Sequence, residues 1–114
     1  MLLDIGKLNV ERLIGGDASG KKAAKIVIGT SDTPVTSSDS TITGAVSRAI
    51  DNITYPSPGI IQLSATFLDS DPAMTVKEVG LLNDSDVLIH RKVVTETVKS
   101  AGIALIVNYR IKVQ

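Results

Sequence analysis

The segment Ile103-Ala-Leu-Ile-Val-Asn-Tyr-Arg-Ile-Lys-Val-Gln114 carries the pattern that decides the fold class. Its odd-numbered positions are apolar or aromatic throughout, whereas its even-numbered positions are polar from Asn108 onward. Successive side chains of a β-strand point to opposite faces, so this period of two predicts a strand with one buried face and one solvated face. Ala104 and Ile106 interrupt the polar face, which predicts that the first half of the strand is covered on both sides.

Two patterns extend the β assignment into the centre of the chain. The run Ile61-Gln-Leu-Ser-Ala-Thr-Phe67 also alternates apolar with polar side chains and predicts a second half-buried strand. The preceding Tyr55-Pro-Ser-Pro-Gly59 predicts a turn, because proline fixes φ and lacks a backbone donor whereas glycine tolerates positive φ. We therefore expect residues 45–54 and 61–67 to form a hairpin-like pair.

Composition favours strands in the rest of the chain. Ile, Val and Thr supply 35 of the 114 residues, and their branched side chains suit a pleated sheet. Further strands are predicted at residues 9–14, 25–30, 75–82 and 87–94. The sequence Asn83-Asp-Ser-Asp86 predicts the loop of a hairpin between the last two.

The polar stretches define the remaining organisation. Residues 31–43 are rich in Ser, Thr and Asp and predict a loop, and residues 15–24 predict a flexible connection or a long hairpin tip. Residues 1–24 are therefore expected to form an extended arm or a long hairpin. The length suits one domain, so the sequence predicts a single β domain over residues 1–114, mainly β, with an antiparallel β-sandwich or related β fold of about seven strands.

Charge and composition argue against several classes of partner. Twelve Lys and Arg balance twelve Asp and Glu, and only 3% of the residues are aromatic, so we expect no nucleic-acid partner. The start of the chain, Met1 to Lys7, contains an acidic residue where a secretory signal is basic, and no apolar run reaches the length of a membrane span. The expectation is a protein without a signal peptide and without a membrane partner. The absence of cysteine fits a reducing cytoplasm.

One segment resembles a phosphate-binding loop without completing it. Gly15-Gly-Asp-Ala-Ser-Gly20-Lys21 matches the first seven positions of a P-loop, but Lys22 stands where a Ser or Thr holds magnesium. A P-loop also opens a helix, whereas Lys25-Ile-Val-Ile-Gly-Thr30 predicts a strand. A glycine-rich connection is the favoured interpretation, and no cofactor is predicted.

Candidate catalytic and metal-binding groups are sparse. His90 is the only histidine, so one chain cannot assemble a His-based zinc site, and its apolar neighbours indicate a strand residue. The acidic pairs in Asp69-Ser-Asp71 and Asp84-Ser-Asp86 do not continue into the pattern of a calcium-binding loop and predict solvated turns. We expect no metal site and no enzymatic activity, although counting residues alone does not exclude a Ser-His-Asp triad.

Four pieces of the chain, spanning residues 25–114, resemble the tail-fibre and tail-collar proteins of phages and prophages. The most informative is Val76-Lys-Glu-Val-Gly-Leu-Leu-Asn83, followed after a polar turn by Val87-Leu-Ile-His-Arg91. Leu82 stands where that family often has an aromatic residue. The other pieces are Lys25-Ile-Val-Ile-Gly-Thr30, Thr33-Pro-Val-Thr36 with Asp39, and Arg48-Ala-Ile-Asp-Asn-Ile-Thr-Tyr55 with Gly59 and Ile61-Gln-Leu-Ser-Ala-Thr-Phe67.

The resemblance implies a structural role in a bacteriophage-type tail. It implies assembly with other tail or baseplate proteins, with a homotrimer as the first choice of oligomer, and residence in the bacterial cytoplasm before incorporation into the virion tail. The sequence shows no long repetitive fibre, so attachment or assembly is implied rather than receptor binding. A small ligand- or sugar-binding β module is the alternative; one Phe, two Tyr and no Trp offer such a module few platforms for stacking.

Glu78, Gly80 and Leu81 within the resembling segment, together with Arg48, form the predicted structural motif. Strand parity places Glu78 on the more apolar face with Met74, Val76 and Leu82, so its carboxylate is expected to be buried and paired. Arg48 is the first candidate partner, because it alternates with apolar residues, and Arg91 and Arg110 are alternatives. The rival interpretation is that a bulge at Gly80 turns Glu78 towards solvent.

Overall fold

The computed structural model describes residues 1–113, which form one helix and seven strands in two antiparallel sheets. Sheet A has the strand order β2-β1-β5-β6, and sheet B has the order β3-β4-β7. The fold is therefore mainly β and sandwich-like, as predicted. The elements are α1 (Asp4–Ile14), β1 (Ala23–Gly29), β2 (Val46–Ala49), β3 (Asn52–Ser57), β4 (Ile60–Phe67), β5 (Met74–Asn83), β6 (Leu88–Lys99) and β7 (Leu105–Lys112).

The main core lies between the two sheets. Alternating positions of β1 and β4 point into it, as their apolar period of two requires. Burial of this apolar surface is the dominant stabilising term of such a fold. The buried residues of this core are Ile26, Ile28, Leu63, Ala65, Phe67, Val76, Val79, Leu81, Ile89 and Tyr109.

Sheet A is also covered on its outer face. Val27 and Leu88 are buried there together with Leu3. Val35 and Ile42, from the loop 30–45, pack against the same cluster. The loop predicted from composition therefore packs on the outer face of sheet A.

Residues 45–54 do not form one arm of a hairpin, because the chain changes sheets within them. The amide of Ile50 donates to Ala24 of sheet A at 2.9 Å, whereas the amide of the next residue, Asp51, donates to Ser64 of sheet B at 2.9 Å. Only β3 pairs with β4, and the tip between them has Gly59 at φ 86°. The predicted hairpin is thus confirmed for its second half, while its first half is β2, paired with β1.

The prediction for the start of the chain is wrong. The segment 9–14, expected as a strand, belongs to α1, and residues 1–24 are neither an extended arm nor a hairpin. The helix packs on β6, and its buried residues are Gly6 and Asn9. A Cβ on Gly6 would collide with the carbonyl oxygen of Ile89, so this glycine allows the helix to lie directly against the strand.

The residues ahead of α1 extend sheet A by a short piece of backbone. The amide of Leu3 donates to the carbonyl of Ile89 at 3.0 Å, and the amide of Arg91 donates to the carbonyl of Met1 at 3.0 Å. These bonds cover the outer edge of β6 at residues 89–91.

The other predicted strands correspond to β1, β4, β5, β6 and β7. Strand β6 continues to Lys99, beyond its expected end. Gln114, the last residue of the predicted final strand, lies outside the described residues. The expectation that the first half of this strand is covered on both faces is wrong, because Ile106 is 64% exposed.

Candidate functional site

Glu78 is buried and ion-paired, and its partner is Arg91. The Glu78 side chain is only 1% exposed, and its Oε1 accepts a hydrogen bond from Arg91 Nε at 2.9 Å. Its Oε2 accepts from the backbone amides of Ser31 at 2.7 Å and Thr43 at 3.3 Å. Both carboxylate oxygens are thus satisfied within the protein, as a buried charge requires.

Arg91 continues the network into the loop 30–45. Its Nη1 donates to Asp39 Oδ2 at 3.0 Å, and its Nη2 donates to the carbonyl of Thr33 at 3.0 Å. Hydrogen bonds from the amide and hydroxyl of Thr36 hold the pKa of Asp39 below its usual value, and Arg91 adds to this effect. One arginine therefore ties β5, β6 and the loop together.

The prediction that Arg48 pairs with Glu78 is wrong. Arg48 lies opposite Ile26 in the sheet and so shares the core-facing side of sheet A, whereas Glu78 lies on the outer side. Arg48 instead forms an ion pair with Asp71, and its Nε lies 2.9 Å from Asp71 Oδ2. The hydrogen bond from Arg48 is the main reason that the pKa of Asp71 is lowered, with the amide of Leu68 contributing.

The structure corrects part of the prediction about which residues of β5 share a face with Glu78. Glu78 shares the outer face of sheet A with Leu82, as predicted, but Val76 and Met74 belong to the core between the sheets. The pairing register of β5 with β6 shifts between Val76 and Glu78, and the alternation of faces breaks there. A second register shift falls between Leu81 and Leu82, and Glu78 between the two shifts remains buried.

Gly80 and Leu81 have packing roles. The rival interpretation, a bulge at Gly80 that exposes Glu78, is wrong. A Cβ on Gly80 would lie 2.7 Å from a methyl group of Leu88 and 3.0 Å from the carbonyl oxygen of His90, so glycine allows β5 and β6 to pack closely. Leu81 is fully buried in the core.

His90 links the two sheets. Its Nδ1 lies 2.6 Å from the hydroxyl of Tyr109, and both side chains are buried. Burial, with the nearby positive charges of the N-terminal amine and Lys92, lowers the pKa of His90 to about 4, and burial raises the pKa of Tyr109. The imidazole is therefore neutral at pH 7 and acts as a hydrogen-bonding strand residue.

The glycine-rich segment follows a helix rather than opening one. Asn9 Oδ1 in α1 accepts a hydrogen bond from the amide of Lys21 at 3.0 Å, and Asn9 Nδ2 donates one to the carbonyl of Lys21 at 2.7 Å. Asp17 accepts hydrogen bonds from the amide and hydroxyl of Ser19. These contacts fold the segment into a turn beside α1.

The prediction of solvated turns is wrong for Asp71, which is buried, whereas Asp84 and Asp86 are exposed. Asp71 pairs with Arg48, and Asp86 accepts from Lys25 at 2.8 Å. Within residues 1–113, no cluster of three or more metal-ligating side chains is found. In the same part of the chain, no helix is long and apolar enough to cross a membrane.

Sheet B carries exposed apolar side chains on β3 and β7, its two edge strands. All six residues of β3 are exposed, and Tyr55 is 75% exposed at the rim of an open cleft of about 680 Å³ at the β3–β4 tip. A second cleft of about 350 Å³ runs along the seam between β6 and β7 and is lined in part by Ile106. Exposed aromatic and apolar side chains beside open clefts are candidates for contact with a partner. The exposed apolar residues of sheet B and of the segments that flank β7 are Ile53, Tyr55, Ile103, Ile106 and Val113.

These two clefts were not predicted from the sequence, because Ile106 was expected to be covered and Tyr55 was assigned only to a turn.

Comparison of the chain with family models, curated proteins and solved structures gave no significant match.

Proposed function

We propose that this chain is a structural component of a bacteriophage or prophage tail, associated with the fibre, collar or baseplate, and that it acts by protein–protein assembly rather than catalysis. The observation that carries the assembly role is the exposed apolar surface of sheet B, which includes Tyr55 and Ile106. Interfaces are enriched in aromatic and apolar side chains of this kind. The assignment to a tail rests on the resemblance of residues 25–114 to tail-fibre and tail-collar proteins.

The surroundings of Glu78 support a structural reading of the resembling segment. Both oxygens of its carboxylate are engaged by Arg91 and by backbone amides. Gly80 and Leu81 are occupied by close packing. The segment is thus accounted for by the stability of sheet A. Those partners are proposed to be other tail or baseplate proteins, met in the bacterial cytoplasm during assembly.

The test is incorporation into tails. A lysogen lacking the gene is complemented with the wild-type chain or with a chain carrying Ile53→Ser and Tyr55→Ser, and purified tails are examined by mass spectrometry and immunogold labelling. We expect the wild-type chain in tails and the double variant at a strongly reduced level. Ile14→Ser is the matched control, because Ile14 is an exposed apolar residue of α1, outside sheet B. Tails without the wild-type chain would contradict the proposal.

Self-association is part of the proposal, with a homotrimer as the first choice from the resemblance. The apolar cleft at the β3–β4 tip, with Tyr55 and Val113 at its rim, is the surface that suits contact between copies. Light scattering should give a trimer mass for the wild-type chain and a lower mass for Tyr55→Ser. A strict monomer at high concentration, both alone and with tail proteins, would contradict it.

A sugar-binding module is the second candidate, favoured by one observation. Tyr55 presents an exposed aromatic ring beside an open cleft, and such a ring can stack on the apolar face of a pyranose. A glycan array separates the candidates: binding that is lost in Tyr55→Ser but kept in Tyr55→Trp supports the sugar-binding module, whereas no binding by the wild-type chain removes it.

A further inference from the structure

Two of the four sheet edges formed by the described residues are protected, and a third is covered in part. Strand β2 has only four residues. Strand β3 contains Pro56, which lacks an N–H group, and its pairing with β4 shifts register between Thr54 and Ser57. The edge of β6 is covered at residues 89–91 by the backbone of residues 1–3. Short edges, prolines and covering segments are the usual means of preventing further strand pairing.

Strand β7 has none of these protections. It pairs with β4 over eight consecutive residues without a register shift, and it contains neither proline nor glycine. Its other edge faces no strand among the described residues. A straight, regular strand with a free edge is a template for one more strand.

The hydrogen-bonding groups on this free edge belong to the even-numbered residues. The carbonyl of Ser64, opposite Asn108, accepts from Asp51 on the β3 side, and the amide of Val113 donates to Gly59 on the β4 side. Because the backbone groups of successive strand residues point in opposite directions, the odd-numbered residues of β7 face β4. The groups of Ile106, Asn108 and Arg110 therefore face outward.

One of these outward groups is already bonded by a side chain. Lys92 crosses the seam from β6, and its Nζ donates to the carbonyl of Arg110 at 2.6 Å, while lying 4.5 Å from the centre of the Tyr109 ring. An incoming strand can supply a backbone N–H to this carbonyl instead. The ammonium group of Lys92 is then free to pair with an anion.

The charges around the edge are basic. Arg110 and Lys112 are on the solvated face of β7, where Arg110 is held by a 2.6 Å hydrogen bond to Gln62, and Lys92 is on the seam side. The residues that line the seam cleft are apolar or neutral apart from Lys92. A second copy of β7 has no acidic side chain to complement these basic residues, which disfavours a second copy as the occupant.

We propose that the free edge of β7 binds an extended segment of a partner protein by strand addition, and that this segment alternates acidic with apolar side chains. The acidic side chains lie beside Arg110 and Lys112 on the solvated face, and the apolar ones enter the seam cleft beside Leu105 and Val107. This inference rests on the proposed assembly function, to which it adds the docking site and the chemistry of the partner.

The test uses two fluorescent synthetic peptides, one alternating valine with glutamate and one alternating valine with lysine. The Val–Glu peptide should bind the full chain at neutral pH and slow amide hydrogen exchange at Ile106, Asn108 and Arg110, while β3 is unaffected. The Val–Lys peptide should bind at least about tenfold more weakly, a difference equal to one charge-assisted hydrogen bond.

Two sets of variants locate the binding. Asn108→Pro removes an outward N–H and should weaken binding of the Val–Glu peptide about tenfold, whereas the matched Asn108→Ala, which keeps the N–H, should bind like wild type. The double variant Arg110→Glu with Lys112→Glu should prefer the Val–Lys peptide, and circular dichroism checks that each variant is folded.

Equal binding of both peptides, or an unchanged preference in the charge-reversed variant, would overturn the inference. So would protection of the β7 amides that rises with protein concentration without peptide, since a second copy would then be the occupant. If no peptide binds but the chain is found in tails, only this inference fails. If the peptide binds but the chain is absent from tails, the tail assignment fails and the docking site stands.

Discussion

The two sheets of the sandwich are built from similar alternating sequences, yet they differ in how many of their faces are covered. Sheet A is covered on both faces, by the core on one side and by α1 and the loop 30–45 on the other, and it contains the buried Glu78–Arg91 pair. Sheet B is covered on one face only and carries exposed Tyr55 and Ile106. Sheet A thus has a second covered face and a buried ion pair, and sheet B is the surface that we propose contacts partners.

The largest effect is expected from breaking the buried pair in sheet A. Glu78→Ala should lower the free energy of unfolding by about 3 kcal/mol, because it leaves the Arg91 charge buried without its main partner. Urea denaturation measures the change, and Ile106→Ser in sheet B is the control, expected within about 0.5 kcal/mol of wild type. Equal losses in the two variants would remove the distinction between the sheets.

Docking of α1 on sheet A is tested at Gly6. Gly6→Ala should cost about 2 kcal/mol, since the added methyl group meets the backbone of Ile89 and the helix must shift. Gly15→Ala is the matched control, because Gly15 has φ −77° and its added Cβ would lie 3.4 Å from the nearest atom. Thermal unfolding that is the same for both variants would show that the helix does not contribute through this contact.

The link between the sheets is tested by pH. Because burial lowers the pKa of His90 from 6.5 to about 4, the unfolded chain binds more protons between these values, and stability present above pH 6.5 is lost as the pH falls. Between pH 7 and pH 4.5 we expect the stability advantage of wild type over His90→Gln to shrink by about 2 kcal/mol. Urea denaturation at each pH measures the free energy of unfolding of the two proteins. Parallel pH profiles of this free energy would contradict a buried neutral imidazole.

The smallest effect is expected at Arg48. Its ion pair with Asp71 is partly open to solvent on the arginine side, so Arg48→Ala should cost less stability than any of the test variants above. A double-mutant cycle with Asp71→Asn isolates the pair, and 0.5 M salt should reduce the coupling further. A loss as large as that of Glu78→Ala would mean that the two ion pairs are not ranked by burial.

The sequence predicts the strands because their alternation follows from one buried face, and it fails where burial depends on unusual residues. Helix α1 buries Gly6 and Asn9 while Leu13 and Ile14 are exposed, so no apolar stripe of helical period marks it. A glycine that permits close approach and an asparagine that bonds a loop are features that only the packed structure defines.

The candidate site shows the same limit. Parity and composition predict that Glu78 is buried and paired, and the structure confirms this. They do not give the order of strands in the sheet, which places β1 between β2 and β5 and puts Arg91, rather than Arg48, beside Glu78. The exposure of Ile106 was missed because an apolar residue on the second face of a strand does not show whether another layer covers that face.

Hydrogen exchange measured on the free chain and on the chain within purified tails tests the central claim most directly. We predict that the amides of β1 and β5 exchange slowly in both states, whereas the outward amides of β7 and the exposed residues of β3 exchange quickly in the free chain and slowly in tails. Identical exchange of sheet B in the two states, or new protection confined to sheet A, would contradict the assignment of sheet B as the assembly surface.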